Sequence, residues 1–183
     1  MTRNRPDETT LGEAERMART SDEARSGWSQ TLEDMAAMAE DREAAGYEVL
    51  TLQAGNTAPK GPEQGEKERW GLFYVIPGDD AETFQDLLER ADFEETGVYQ
   101  QSIGRYTFIV TECIDHDAEL DLLIAGSYLR RAAPDLVRAA LDREGMYTHV
   151  KKLDGTHLGS IEHEDPSAFF PNPDSIFAYE QSL

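Results

Sequence analysis

Three of the four histidines, His149, His157 and His163, fall within 15 residues of one another near the C-terminal end of the chain. Imidazoles so grouped can ligate a metal or move protons. Ser160 and Glu162 stand among them, so a nucleophile, a base and an orienting acid can be written as Ser160, His149 and Glu162. A second dense group is Glu112, Cys113, Asp115, His116 and Asp117. Cys113 and His116 are spaced like two zinc ligands, but no further ligands accompany them. Asp115 to Asp117 reads instead as an acidic turn whose side chains cap backbone groups. A third group is basic: residues 54–68 hold Lys60 and Lys67, two of the chain's four lysines, with Arg69 just beyond. Gly55, Pro59, Gly61, Pro62 and Gly65 make this stretch a loop, longer than the usual connection, either a solvated insertion or an anion-binding flap. The GxGxxG, P-loop, HExxH, CxxC and GxSxG patterns are all absent.

The histidines are placed by a hairpin. Leu153-Asp154-Gly155-Thr156 lies between two strand patterns, and Asp-Gly there predicts a two-residue type I′ turn. That register sets Lys152 opposite His157, Val150 opposite Gly159, His149 opposite Ser160, Tyr147 opposite Glu162 and Met146 opposite His163. Alternation then puts His157 and His163 on one face, about 20 Å apart along the strand, and His149 on the other. A three-histidine metal site in this hairpin is excluded on that register, and no metal or other cofactor is expected. The face bearing Met146, Val150 and Ile161 suits the core, which leaves His149, Ser160 and Glu162 on a polar solvent face. The ligand-binding candidates are Lys60, Lys67, Arg69, His149 and Glu162; no catalytic residue is assigned.

The remaining elements follow from periodicity. Residues 1–25 are polar and read as a mobile arm, partly helical. Trp28, Leu32, Met35, Ala39 and Arg42 recur at helical spacing, and Gly46 stands where a cap is expected. A strand is expected over 47–53. Residues 70–113 then predict strand, helix and two strands, and residues 120–163 repeat that order. Gly97-Val98-Tyr99 matches Gly145-Met146-Tyr147 in this scheme, which suggests a duplicated βαββ unit. Apolar spacing over 120–129 also allows a helix; the repeat favours a strand. Beyond residue 165, Pro166, Pro171 and Pro173 alternate with Phe169, Phe170, Phe177 and Tyr179. Exposed aromatics are costly, so Phe169 and Phe170 are expected to pack back on the sheet, with docking to a partner as the alternative.

Composition bounds the whole. The chain has 183 residues, with 37 Asp and Glu against 17 Lys and Arg and a formal net charge of −20 at pH 7. The acids are spread evenly, so they coat a folded body rather than form a tail. With no basic face, nucleic-acid binding is not expected. Self-repulsion on this scale opposes compaction in dilute buffer, but at ~1 M salt the Debye length is about 3 Å and the repulsion is screened. Cys113 is the lone cysteine and reads as a small buried hydrophobe. There is no basic and apolar leader, and the apolar runs are too short to span a bilayer, so a soluble cytoplasmic protein is expected.

Gly145-Met146-Tyr147-Thr148-His149-Val150, Leu153-Asp154-Gly155-Thr156, His163-Glu164-Asp165-Pro166 and Phe169-Phe170-Pro171 resemble a family of uncharacterised haloarchaeal proteins. Gly46-Tyr47-Glu48-Val49 and Tyr74-Val75-Ile76-Pro77 are similar to the same family, over roughly residues 26–173. The resemblance implies no activity. The expected architecture is a mobile arm (1–25), one α+β domain (26–165) and a Pro and aromatic tail (166–183). The domain is expected as a mostly antiparallel sheet of two βαββ units, related to ferredoxin-like modules, behind an amphipathic N-terminal helix. The expected function is that of a noncatalytic protein-interaction or small-ligand-binding module, with a protein partner or homo-oligomer. The alternative is an enzyme with its site between the sheet and residues 54–68.

Overall fold

The computed structural model describes residues 8–65 and 68–183, with side chains described over 21–65 and 68–183. Lys67 therefore lies outside the described residues, as does the start of the N-terminal stretch. In chain order the elements are α1 (Glu8–Ala44), β1 (Glu48–Gln53), β2 (Asn56–Lys60), β3 (Gly71–Ile76), α2 (Ala81–Arg90), β4 (Glu95–Ile103), β5 (Tyr106–Asp115), β6 (Leu120–Leu129), α3 (Pro134–Arg143), β7 (Met146–Lys152), β8 (His157–His163) and α4 (Pro173–Gln181). Residues 8–25, expected as part of a partly helical arm, lie in the first helix.

The strands form two four-stranded sheets. Sheet A runs β1-β6-β5-β4 and sheet B runs β2-β3-β7-β8. β1 pairs parallel with β6 and β3 parallel with β7, while the other neighbours are antiparallel. Both sheets are mixed, which corrects the expected single, mostly antiparallel sheet. The βαββ order is present twice, but only the closing hairpins, β4–β5 and β7–β8, pair within a unit: the first strand β3 pairs with β2 and β7, and the first strand β6 with β1 and β5. A repeat read along the chain gives element order, and the partner of each first strand is decided by the fold.

Residues 54–68 are also corrected, because β2 runs through them and edges sheet B. Pro59 is tolerated on that edge, where its missing N–H faces away from the ladder.

The inner faces of both sheets share one core. Leu52, Ile109, Leu122 and Ile124 from sheet A meet Leu72, Tyr74, Ile76, Val150 and Ile161 from sheet B, with Phe84, Leu136 and Val137 added by α2 and α3. The Tyr74 hydroxyl is satisfied at 2.7 Å by Thr111. On the outer face of sheet A, Met35 and Ala39 of α1 bury Val110, Leu123 and Ala125, flanked by Trp28 and Leu32. β6 is thus covered on both faces, which explains its continuous apolar run in place of alternation. Gly27 lets α1 approach: a Cβ there would lie 2.6 Å from Phe108. Cys113 is fully buried in β5, between Thr96 and Leu122 on the neighbouring strands. In the tail, Phe169 and Phe170 are buried in the main core, as their aromatic character demands.

Gly71 begins β3 at φ +134°, and a Cβ there would stand 2.0 Å from the carbonyl oxygen of Tyr147. The Gly71→Ala chain is expected to lose about 3 kcal/mol or more of stability in denaturant titration, from strain and overpacking together. Gly104→Ala is the contrast: its φ is +59° but nothing lies within 4 Å, so its loss is expected at about 1 kcal/mol. Equal losses would show that contact with Tyr147 is not the constraint at Gly71.

Candidate functional site

The outer face of sheet B carries the polar side chains in rows. One row is Ala58, Phe73, His149 and Ser160; the next is Asn56, Val75, Lys151 and His157; Lys60 stands on the other side, opposite Gly71. The hairpin register matches expectation from Met146↔His163 to Val150↔Gly159 and then departs from it. Only Gly155 takes a positive φ, +92°, and the Lys152 N–H meets the Thr156 carbonyl at 3.0 Å. The loop therefore has three residues rather than the two of a type I′ turn, and a bulge between Val150 and Lys151 takes up the difference. His157 consequently pairs with Lys151, not Lys152. It also joins the face of His149, at 5.9 Å between ring centroids, and not that of His163.

His149 is not in water. It is 3% exposed, stacked by Tyr147 at 5.8 Å and lying 4.7 Å from the Phe73 ring. Trp70 meets Tyr147 edge-on, and its carbonyl oxygen accepts from His149 Nε2 at 2.8 Å. A carbonyl cannot donate, so the proton of a neutral ring sits on Nε2 and Nδ1 is left as acceptor. The Ser160 hydroxyl donates to it at 2.7 Å, and its oxygen then accepts from His157 Nε2 at 3.0 Å. Hydrogen bonds thus run in one direction, from His157 through Ser160 and His149 to the backbone. Burial lowers the His149 pKa to about 4, with the charges of His157 and Arg69 acting in the same sense and the Trp70 hydrogen bond opposing them.

Cations frame this chain. Lys60 Nζ stands 5.1 Å and Lys151 Nζ 5.6 Å from the centroid of the Phe73 ring. Among the expected binding residues, the structure brings Lys60 and His149 to the same ring, Phe73, and the charge of Arg69 is felt at His149. Glu162 is exposed opposite Tyr147 on the same face. Sequence reasoning missed Phe73, which comes beside His149 only through the pairing of β3 with β7.

His163 and the carboxyls Glu112 and Asp121 are buried as well. His163, 2% exposed, is bonded at 2.8 Å to Thr148 of sheet B and at 2.8 Å to Thr96 of sheet A, so it bridges the sheets. Burial lowers its pKa to about 4. Under α1, Arg42 grips Glu112 with two nitrogens, at 3.2 and 3.3 Å, and stands 3.6 Å from Asp121. One guanidinium thus faces two buried carboxyls, and among the described residues neither oxygen of Asp121 has another partner. Burial first, then the adjacent Glu112, raise the Asp121 pKa to about 8 despite Arg42. A proton on Asp121 resolves the conflict, because it can be shared with Glu112. Asp115 caps as expected, accepting from the N–H groups of Asp92 and Ala118 at 2.8 and 2.9 Å. Among the described residues, no three His, Cys, Asp or Glu side chains are placed to hold a metal, and no helix is long and apolar enough to cross a membrane.

Residues 14–171 match a family described as a family of unknown function (DUF7529), and the chain belongs to it. The match begins inside the stretch expected as an arm. No curated protein and no solved structure matches the chain.

The buried groups set opposite pH limbs. Between about pH 4 and 6.5 the unfolded chain binds two protons that His149 and His163 refuse when folded, while folded Asp121 keeps one that the unfolded chain has lost. Stability therefore falls as pH drops through this window. Above pH 6.5 only Asp121 still differs, and stability falls as pH rises toward about 8. Urea midpoints against pH are expected to peak near pH 6.5. Asp121→Asn should abolish the alkaline limb and gain on the order of 1–3 kcal/mol at pH 8. An alkaline slope unchanged in Asp121→Asn would show that this carboxyl carries no shared proton.

Proposed function

We propose that this member of the family is a noncatalytic small-ligand-binding module of a salt-filled haloarchaeal cytoplasm, and that its binding face is the outer face of sheet B. The observation that carries the reading is the hydrogen-bond chain through Ser160 to a buried, neutral His149, framed by Lys60 and Lys151 over Phe73. Polar groups locked in one orientation lose little freedom when a ligand arrives. The salt-adapted setting is supported by 37 acids against 17 bases, only four of them lysine. Contact with a protein partner or a second copy is the other form of a noncatalytic role. Burial of Phe169 and Phe170 removes the strongest motive for it.

One observation favours an enzyme as the second reading. Ser160, His149 and the Trp70 carbonyl line up as nucleophile, base and orienter. Against it, an imidazole held near a pKa of about 4 is a weak proton acceptor. Treatment with phenylmethylsulfonyl fluoride separates the two readings. A binding module is expected to give no adduct at Ser160 beyond that at other exposed serines; an adduct lost in His149→Gln would make the enzyme reading the correct one.

The binding reading is tested by a thermal-shift screen of metabolites at molar KCl, where a ligand raises the midpoint with its concentration. A concentration-dependent rise lost on altering Lys60 or Lys151 is expected, and a panel without such a rise would remove the reading. In the same assay the midpoint should climb steadily from dilute to molar KCl as the acids are screened. A midpoint indifferent to KCl would contradict the salt-adapted setting.

A further inference from the structure

The geometry points to a second binding site, apart from the sheet B face, in the cleft between β2 and the end of β6, for a flat uncharged ring that carries an amide. Sheet topology makes the cleft. β1 pairs with β6 only as far as Gln53↔Ala125, and the chain then crosses to β2 in the other sheet. From Gly126 to Leu129 the edge of β6 is therefore open on the side that β1 has left, and β2 is itself an edge strand. Between these two edges lies a cleft of about 590 Å³, lined also by Tyr106 and Ala132. Small-molecule sites usually enclose roughly 300–1,000 Å³.

Its chemistry is set first by Thr57, a lining residue 5% exposed, whose hydroxyl has no hydrogen-bond partner among the described residues. Buried hydroxyls are normally satisfied, and this one can turn to a ligand without giving up a bond. Gly126 makes room for it, since a Cβ there would stand 2.3 Å from the Thr57 oxygen. The backbone of β2 adds to the hydroxyl. Alternate residues of an edge strand turn their N–H and C=O away from the ladder, and Pro59, with no N–H to give, occupies such a position. Thr57 lies two residues before it and shares its orientation, so a donor and an acceptor stand side by side on the cleft wall. An amide offers an acceptor beside a donor and matches that pair, whereas a carboxylate would set an acceptor against the Thr57 carbonyl.

Charge narrows the ligand further. Charged residues make up 30% of the chain, yet among the described residues that line the cleft Lys60 alone is charged, and its ammonium stands over Phe73. An ion entering here would lose its hydration without a paired charge in return. The Tyr128 hydroxyl is taken by Thr107, so Tyr128 has its ring to offer, and with Tyr106 it gives the cleft aromatic walls. Such walls suit a flat ring.

The experiment follows backbone amide NMR shifts of the full chain in molar KCl on adding nicotinamide, uracil, nicotinate or toluene. Saturable shifts at Thr57, Tyr106, Ser127, Leu129 and Ala132 are expected with nicotinamide, uracil or both. Nicotinate and toluene, which lack the amide, should bind about tenfold more weakly or worse. The preferred amide tells whether the site takes an amide within the ring or one appended to it. Thr57→Val removes the hydroxyl at nearly constant volume, so the melting midpoint should be kept or raised while affinity falls about threefold to tenfold. Ala132→Phe fills the cleft from a half-buried position and should abolish the shifts with the fold retained. Shifts confined to β7 and β8 would overturn this site and leave the sheet B face standing. Silence with both amides, equal binding of nicotinate or toluene, or parent-like affinity in Thr57→Val or Ala132→Phe would overturn it too, whatever the screen of the sheet B face returns.

Discussion

The parallel pairing of β3 with β7 is the constraint from which the rest of the molecule follows. It sets Phe73 beside His149 and Tyr74 beside Val150, so one ladder builds the core on one face and the polar chain on the other. It also joins the β2–β3 hairpin to the β7–β8 hairpin, so sheet B takes two strands from each half of the chain. β6 then becomes the partner of β5, and the two sheets close over a shared interior. Parallel strands need long connections. The segment between β3 and β7 supplies one by building most of sheet A along the way.

Around that core the molecule buries polar groups in three different manners. His149 is satisfied in a single direction by a backbone carbonyl and a hydroxyl. His163 is satisfied by threonines from two sheets and joins them. Asp121 is satisfied only with a proton, because one arginine cannot serve two carboxyls. Docking of α1 through Arg42 is therefore linked to proton occupancy under the helix, whereas the histidines require an unprotonated interior.

Much of the element order was legible because short-range chemistry decides it. The spacing of Trp28, Leu32, Met35 and Ala39, the left-handed Gly46 and the strand run before Cys113 each specify their element locally. The burial of Phe169 and Phe170 was legible for the same reason. β2 was hidden because Gly55, Pro59 and Gly61 carry turn chemistry, which an edge strand tolerates. Sheet membership was not legible, since nothing in the composition of β3 names β7 as its neighbour. The candidate site turned on one residue of register: a two-residue turn would keep His157 away from His149, and the bulge brings it near. Burial of His149 was missed because Phe73, which stands beside it, is 76 residues away in sequence and adjacent only through β3 and β7.

Cys113 carries a last consequence. It sits fully buried in a central strand of sheet A, and burial pushes its thiol far above the range in which a thiolate forms. The thiolate is the reactive species, so the folded chain is inert toward thiol oxidants and alkylating reagents at its lone thiol. Reaction requires that β5 be exposed. The sulfur thus records how often the interior of sheet A opens to solvent, and its rate of labelling measures the breathing of the same sandwich that holds the sheet B face in shape.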